Sequence, residues 1–402
     1  MQPEKSPKMP WTILGNTWLI SFAIWAPTYC VPPMEHILKE ELLLTHAQAS
    51  LLFSASWLMI AIAAIPAGFI ADRIGVRKAA GIGIIIVAVG TILRGTATSY
   101  SSLLAFTLIY GIGLGWTYPN LPKLISAWTP REKAGIATGI FTSGILTAGA
   151  LGLALTPLIF LITNSFQGTF FIWSIPPIIA AILWWILVKD PPRNNLYNEP
   201  VSKDKTMFLK VLRNKNLWLV AIILLLNEFF FSTWAGWAPA LMMLKGGAPE
   251  LAGLLASIVL WAGIPTVFLM PRLAYKLGVR KPFLWLPSLI IAGVAWGVIH
   301  IDLSLMWLPM LLVGIASNTR FTTILALPVE LMPEEEVGTA SGLILSIGYI
   351  GGVIGPLIGG RIYDLTGSLN LSLIVLSGVS IAMAVIALRL HETGNKAKVK
   401  PP

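Results

Sequence analysis

Gly68-Phe69-Ile70-Ala71-Asp72-Arg73-Ile74-Gly75-Val76-Arg77-Lys78 sets four charges and two glycines between two long apolar runs, in a chain only 11% charged. A near-copy follows at an offset of 203 residues, with Lys276-Leu277-Gly278-Val279-Arg280-Lys281 standing against Arg73-Ile74-Gly75-Val76-Arg77-Lys78. The same offset lays Gly111-Ile112 on Gly314-Ile315, and Pro130, Glu132, Gly135, Ala137 and Gly139 on Pro333, Glu335, Gly338, Ala340 and Gly342. Gly149 and Gly152 likewise fall on Gly352 and Gly355. Chance supplies a single match; an ordered set indicates a duplicated half.

The chain has 402 residues, 56% of them hydrophobic, and a mean hydropathy of +0.78. Soluble domains are about 45–50% apolar and about 25% charged, so water is not the main solvent here. Continuous apolar runs of about 20 residues are the mark of membrane-spanning helices; a spanning β-barrel needs shorter alternating segments instead. The single cysteine, Cys30, excludes an internal disulfide. A net charge of +10 invites a nucleic-acid partner, but the Lys and Arg flank the apolar runs, the pattern that sets membrane topology, so no nucleic acid is expected. Lys5 and Lys8 precede the first run without an evident small-residue cleavage site, and the run reads as a first transmembrane helix rather than a signal peptide.

Twelve spans are expected, roughly 12–33, 48–71, 79–98, 102–127, 134–161, 169–188, 216–240, 251–274, 282–300, 303–330, 337–360 and 369–390. An even number puts both termini on one side. Most Lys and Arg share that side; only Lys39, Lys245 and Arg361 fall opposite, Lys123 lies near the terminal-side end of span four, and Arg94 and Arg320 lie within spans. The positive-inside rule then makes the termini cytoplasmic. Residues 189–215 are polar and rich in Lys, Asn and Pro, reading as a cytoplasmic linker between an N-terminal bundle (1–188) and a C-terminal bundle (216–402). The fold class is therefore an all-α membrane protein, twelve transmembrane helices in two pseudo-symmetric six-helix bundles. Such repeats, with a site at midplane between them, are a transporter architecture.

Gly68-x-x-x-Asp72-Arg73-x-Gly75-x-Arg77-Lys78 between spans two and three resembles the signature loop of the major facilitator superfamily, and the whole chain follows that plan. Leu93-Arg94, Gly111-Ile-Gly-Leu-Gly-Trp-Thr-Tyr-Pro119-Asn120-Leu-Pro122-Lys123 and Ala137-Thr138-Gly139-Ile140 resemble its branch of cyanate, nitroimidazole and nitrate/nitrite porters. Departures are also visible. The Gly-x-x-x-Gly-Pro-x-x-Gly-Gly pattern associated with antiporters in span five stands instead in span eleven, as Gly351, Gly355, Pro356, Gly359 and Gly360. The nitrate porters of that branch resemble one another in Arg residues within spans two and eight; neither span carries a mid-membrane Arg here, and the resemblance therefore disfavours nitrate itself. The resemblance implies that spans one, four, seven and ten line a central cavity.

The loop residues Gly68, Asp72, Arg73, Gly75, Arg77 and Lys78 read as a conformational latch. Both copies keep the cations that topology needs, but Tyr275 replaces the acid in the second, so Asp72 is the switch candidate. Glu228, mid-span seven, is the sharpest single signal. A charge there costs about 2.5–3.5 kcal/mol by insertion scales and marks a functional position by default. It is a candidate for the coupling proton and, with Asn227, for substrate binding. Its structural alternative is a buried helix–helix contact.

Arg320, mid-span ten, is its natural partner, a permanently charged planar fork suited to small anions. An anion competing with Glu228 for Arg320 would free the carboxylate to take up a proton. Thr117, which the repeat sets opposite Arg320, and Asn120 one turn on are candidates for a polar cavity wall, though packing between helices would explain them equally. Trp25 and Tyr29 are the aromatic candidates; Trp18, Trp237 and others read as interfacial. Arg94, near the outer end of span three, reads as snorkelling to the interface.

No metal-ligand spacing joins His36, His46, His300 and His391, and Gly111-x-Gly-x-Gly sits inside an apolar helix as packing glycines rather than a phosphate loop. No enzyme, cofactor or metal is expected. The reading is a proton-coupled alternating-access transporter of a small organic or inorganic anion in the cell membrane, its partners being that substrate, the proton and the lipid bilayer. An organic-cation or drug carrier using Glu228 and aromatics is the rival, and a non-transporting membrane receptor or scaffold the rival of another class.

Overall fold

The computed structural model describes residues 11–129, 133–189, 212–333 and 336–394, and among them the secondary structure is entirely helical. In chain order the helices are α1 (Trp11–Tyr29), α2 (Glu35–Leu42), α3 (His46–Ile74), α4 (Val76–Arg94), α5 (Tyr100–Thr117), α6 (Asn120–Trp128), α7 (Ala134–Thr163), α8 (Phe166–Leu187), α9 (Lys215–Leu244), α10 (Pro249–Leu277), α11 (Pro282–Gly297), α12 (Trp307–Leu331), α13 (Val337–Thr366) and α14 (Asn370–Arg389). Nine of these are long and apolar enough to cross a membrane, and α11 is a shorter apolar helix. The other two of the twelve expected spans are α1, diluted by Asn16, Thr17, Ser21 and Thr28, and span four. There the ladder breaks at Pro119, which has no N–H to give, leaving α5 and α6 in series.

The burial pattern is inverted relative to a soluble protein. Large apolar side chains such as Phe69, Leu158, Ile162, Ile186, Leu254, Leu269 and Leu388 stand exposed, while Arg94, Glu228 and Arg320 are buried. A surface of this kind needs lipid around it.

Local rules set the joints. Gly75, at φ +93°, turns α3 directly into α4, and Gly278, at φ +67°, ends α10 at the repeat-equivalent position. Only glycine accepts that backbone without strain, so the duplicated Gly is a duplicated corner. The glycines of 111–115 pack as expected, against two different neighbours. A Cβ on Gly111 or Gly115 would lie 2.7–2.8 Å from Met59 or Ala63 of α3, and one on Gly113 would lie 2.5 Å from the Val87 nitrogen of α4. Small residues at such seams let helix backbones meet.

Two seams join the first half of the chain to the second: α7 packs on α10 and α3 on α13. In the first, Gly253 meets the Leu153 carbonyl near one end and Gly139 meets the Phe268 ring near the other. In the second, Gly352 lies under the Trp57 ring and Gly360 against His46, Ala47 and Ser50.

Candidate functional site

The buried centre is aromatic. Trp25 of α1 has its ring 5.0 Å from Trp57 of α3 and 5.4 Å, edge-on, from Tyr118 at the α5–α6 break. Tyr349 of α13 closes the group, 5.6 Å from Trp57 and 6.1 Å from Tyr118. Its hydroxyl donates to that of Tyr118 at 2.9 Å, a bond between the two halves of the chain. Tyr29 lies one turn beyond Trp25, against Phe53 at 6.0 Å and against the Cβ-free positions Gly149 and Gly152. The indole N–H groups of Trp25 and Trp57 are buried and have no protein partner, and an unpaired buried donor is an expensive thing to keep.

Beside this group stands Glu228, 3% exposed. It stands near Tyr29, Tyr118 and Tyr349, and Asn227 Nδ2 donates to its Oε1 at 3.1 Å. Arg320 is fully buried, with its guanidinium 5.4 Å from the centroid of Phe230, which itself stacks on Trp234. Nη1 donates to Ser288 Oγ of α11 at a long 3.4 Å, while Nε and Nη2 have no partner. Glu228 and Arg320 feel each other's charge yet form no contact ion pair. The centre thus offers one carboxylate held by an amide, and one guanidinium with two donors to spare.

Of the sequence candidates, Trp25 and Tyr29 belong to the aromatic group, Asn227 and Glu228 stand near it, and Arg320 lies against the Phe230 ring. Thr117 does not join them. It is turned toward α4, with its hydroxyl 3.4 Å from the Ala80 carbonyl and packed into the gap left by Gly83. Asn120 is buried with Nδ2 bonded back to the Trp116 carbonyl at 2.7 Å and Oδ1 unpartnered. In the loop, Arg77 bonds the Trp185 carbonyl at 3.2 Å and lies over that indole, while Trp184 Nε1 donates to the Arg77 carbonyl, so this part of the loop is tied to α8. Arg73 and Lys78 are exposed, and Gly68 faces Lys123 of α6. The Asp72 side chain lies outside the described residues, as does most of the 189–215 linker.

Two expectations are corrected. Trp237 does not face lipid: it is 7% exposed and packs against Tyr363 and His46. Arg94 does not snorkel. It is 1% exposed, donates to the Pro27 carbonyl at 2.7 Å, and has its guanidinium 4.2 Å from the Phe170 centroid and 5.2 Å from that of Tyr110. Pro27 lies in the last turn of α1, and polar side chains gather there: the Tyr110 hydroxyl donates to the Ile24 carbonyl and accepts from Thr28.

Trp57, Tyr118, Tyr349 and Phe230 escaped the sequence reading. A tyrosine in mid-span needs a hydroxyl partner, which was the available signal for Tyr118 and Tyr349; Trp57 and Phe230 carried none.

Comparison with known proteins supplies the family. The Major Facilitator Superfamily model matches residues 17–356 and 241–402. Among curated relatives, the uncharacterized transporter YycB of Bacillus subtilis (strain 168) is 24% identical over 378 residues, covering 93% of this chain and 91% of the relative. The 2-nitroimidazole transporter of Escherichia coli (strain K12) is 24% identical over 358 residues, 89% of each chain. The cyanate transport protein CynX of the same strain is 20% identical over 324 residues, 79% of this chain and 82% of the relative. Among solved structures, a bacterial homolog of the human lysosomal transporter Spinster, inward-facing and unoccupied, superposes with a TM-score of 0.73 at 18% identity, covering 95% of this chain and 96% of its own, which speaks to the fold alone. With the family model spanning nearly its whole length, the chain belongs to the Major Facilitator Superfamily, a multi-pass membrane transporter and not an enzyme.

Proposed function

We propose that this transporter moves a small anion, organic or inorganic, together with a proton, by alternating access between bundles 1–188 and 216–402 joined by the 189–215 linker, with both termini in the cytoplasm. The observation that carries the reading is the pair Glu228 and Arg320, an acid and a guanidinium both buried and not in contact, with Arg320 Nε and Nη2 unpaired. A fork of free donors in a dry site is the chemistry that captures a carboxylate or a similar planar anion. Arrival of the anion at Arg320 weakens the attraction that favours the Glu228 carboxylate, and Glu228 then accepts the coupling proton. Asn227, Trp25 and Tyr29 complete the binding set. The relatives point the same way: they include proteins named for cyanate, hexuronate, D-galactonate and sialic acid. The Gly68–Lys78 loop, through Asp72, serves as the latch on the cytoplasmic face.

A second reading rests on a different observation. Trp25, Trp57, Tyr118 and Tyr349 pack on one another near Glu228, the composition of an aromatic cage for an organic cation. The two separate in proteoliposomes under an imposed pH gradient, using radiolabelled small carboxylates and tetraethylammonium as probes. The anion reading expects gradient-driven carboxylate uptake that Arg320→Lys cuts severely and Glu228→Gln uncouples from the gradient. Carboxylate uptake at the wild-type rate in both variants refutes it.

A further inference from the structure

The first turn of a helix carries backbone N–H groups with no partner in the helix itself. At the start of α3 they are shared out between two parts of the chain. Thr45 and Gln48 form a capping box, with Thr45 Oγ1 accepting from the Gln48 N–H at 3.2 Å and Gln48 Oε1 from the Thr45 N–H at 2.9 Å. The N–H groups of His46 and Ala47 go elsewhere, to Oδ1 and Oδ2 of Asp364 at 2.9 and 3.0 Å. Asp364 belongs to the end of α13, so these bonds tie one half of the chain to the other on the face opposite the termini.

The surroundings hold that helix start in place. His46 Nδ1 meets Glu35 Oε1 at 2.7 Å and Nε2 meets Lys39 Nζ, both on α2, while the ring stands edge-on to Tyr363 at 4.2 Å. Tyr363 stacks in turn on Trp237.

Close approach of the backbones makes the tie possible, and it explains the glycine pattern of α13. Gly351, Gly355 and Gly359 recur every four residues and face α9; added Cβ atoms there would lie 2.0 Å from the Leu225 carbonyl, 2.3 Å from Thr233 Oγ1 and 2.9 Å from the Trp237 indole nitrogen. Gly352 and Gly360 lie on a neighbouring face and meet α3. A Cβ on Gly360 would come within 2.9 Å of Ser50 Oγ, the His46 carbonyl and the Ala47 Cα. One stripe fixes α13 within its half; the other lets it seat on the opposite half.

We infer that Asp364 is the clasp that closes the non-terminal face of the transporter, capping the N-terminus of α3 from across the halves once Gly360 has brought α13 onto it. The bonds are solvent-exposed, so on opening both N–H groups and the carboxylate pass to water, and the clasp releases without leaving a buried group unsatisfied. The favourable charge at the helix N-terminus makes it selective for an acid. The inference rests on alternating access but not on the identity of the substrate or the coupling ion.

The test is a distance measurement by pulsed EPR on full-length protein in lipid nanodiscs, without substrate or pH gradient, with spin labels at Leu43→Cys and Leu365→Cys. These two positions are exposed, at 89% and 70%, whereas the native Cys30 is buried. The clasped protein is expected to show mainly the short distance. Asp364→Asn and Asp364→Ala are expected to raise the long-to-short ratio about tenfold, the factor that corresponds to 1.4 kcal/mol. Gly360→Ala is expected to shift it the same way, and Asp302→Asn, elsewhere on that face, to leave it alone. Two populations in the wild type that neither Asp364 variant nor Gly360→Ala shifts would overturn the clasp while leaving alternating access standing. A single short distance throughout would overturn both.

Discussion

The hydroxyls of Tyr118 and Tyr349 meet at 2.9 Å, and this one bond joins the α5–α6 break of the first half to the middle of α13 in the second. Both rings are packed into the aromatic centre, so removal of either hydroxyl leaves the other without its partner in a dry site. Tyr118→Phe and Tyr349→Phe are each expected to cost about 1–3 kcal/mol, the penalty for an orphaned polar group, and the double variant to recover part of that loss. A double-mutant cycle on thermal stability in detergent checks this. Strict additivity would mean that the bond contributes nothing.

Arg94 braces the last turn of α1. Its hydrogen bond to the Pro27 carbonyl and its seat on Phe170 and Tyr110 are made by a planar guanidinium, a shape that lysine lacks. Arg94→Gln and Arg94→Lys are both expected to lose about 2–3 kcal/mol of stability, from a charged hydrogen bond and a cation–π contact. Substrate affinity should fall as well, because Trp25 and Tyr29 flank Pro27. Thermal unfolding together with binding measurements reads both effects, and full rescue by lysine would rule out the brace.

Glycines divide sharply by what surrounds them. A Cβ at Gly351 would sit 2.0 Å from the Leu225 carbonyl, whereas one at Gly293 would meet nothing within 4 Å. Gly351→Ala is expected to cost about 1–3 kcal/mol or more through overpacking against backbone. Gly293→Ala should fall within about 1 kcal/mol of wild type, on the stabilising side. Expression and melting temperature of the two variants, compared side by side, decide the point.

The architecture was open to reading because its signals are anomalies. A charge in an apolar run stands out, which is how Glu228 and Arg320 were found, and Gly75 and Gly278 announced a repeated corner that only glycine can turn. The aromatic centre was harder to see. In a chain with 16 tryptophans and 16 phenylalanines, Trp57 differs from its fellows only in where α3 brings it. The distance of Arg94 from the end of its span fits a snorkelling side chain; the Pro27 carbonyl that captures it lies 67 residues away in sequence. The repeat sets Thr117 opposite Arg320, but it matches positions along the chain and not the face on which a side chain points.

The most direct test of anion capture by Arg320 is a thermal-shift series on the purified protein, with cyanate, galactonate, glucuronate and sulfoacetate against tetraethylammonium and choline, and with Arg320→Ala run in parallel. At least one anion is expected to raise the melting temperature of the wild type, and that rise is expected to vanish in Arg320→Ala. Stabilisation by the amines alone, persisting in Arg320→Ala, would contradict anion transport and place the substrate among the aromatics beside Glu228.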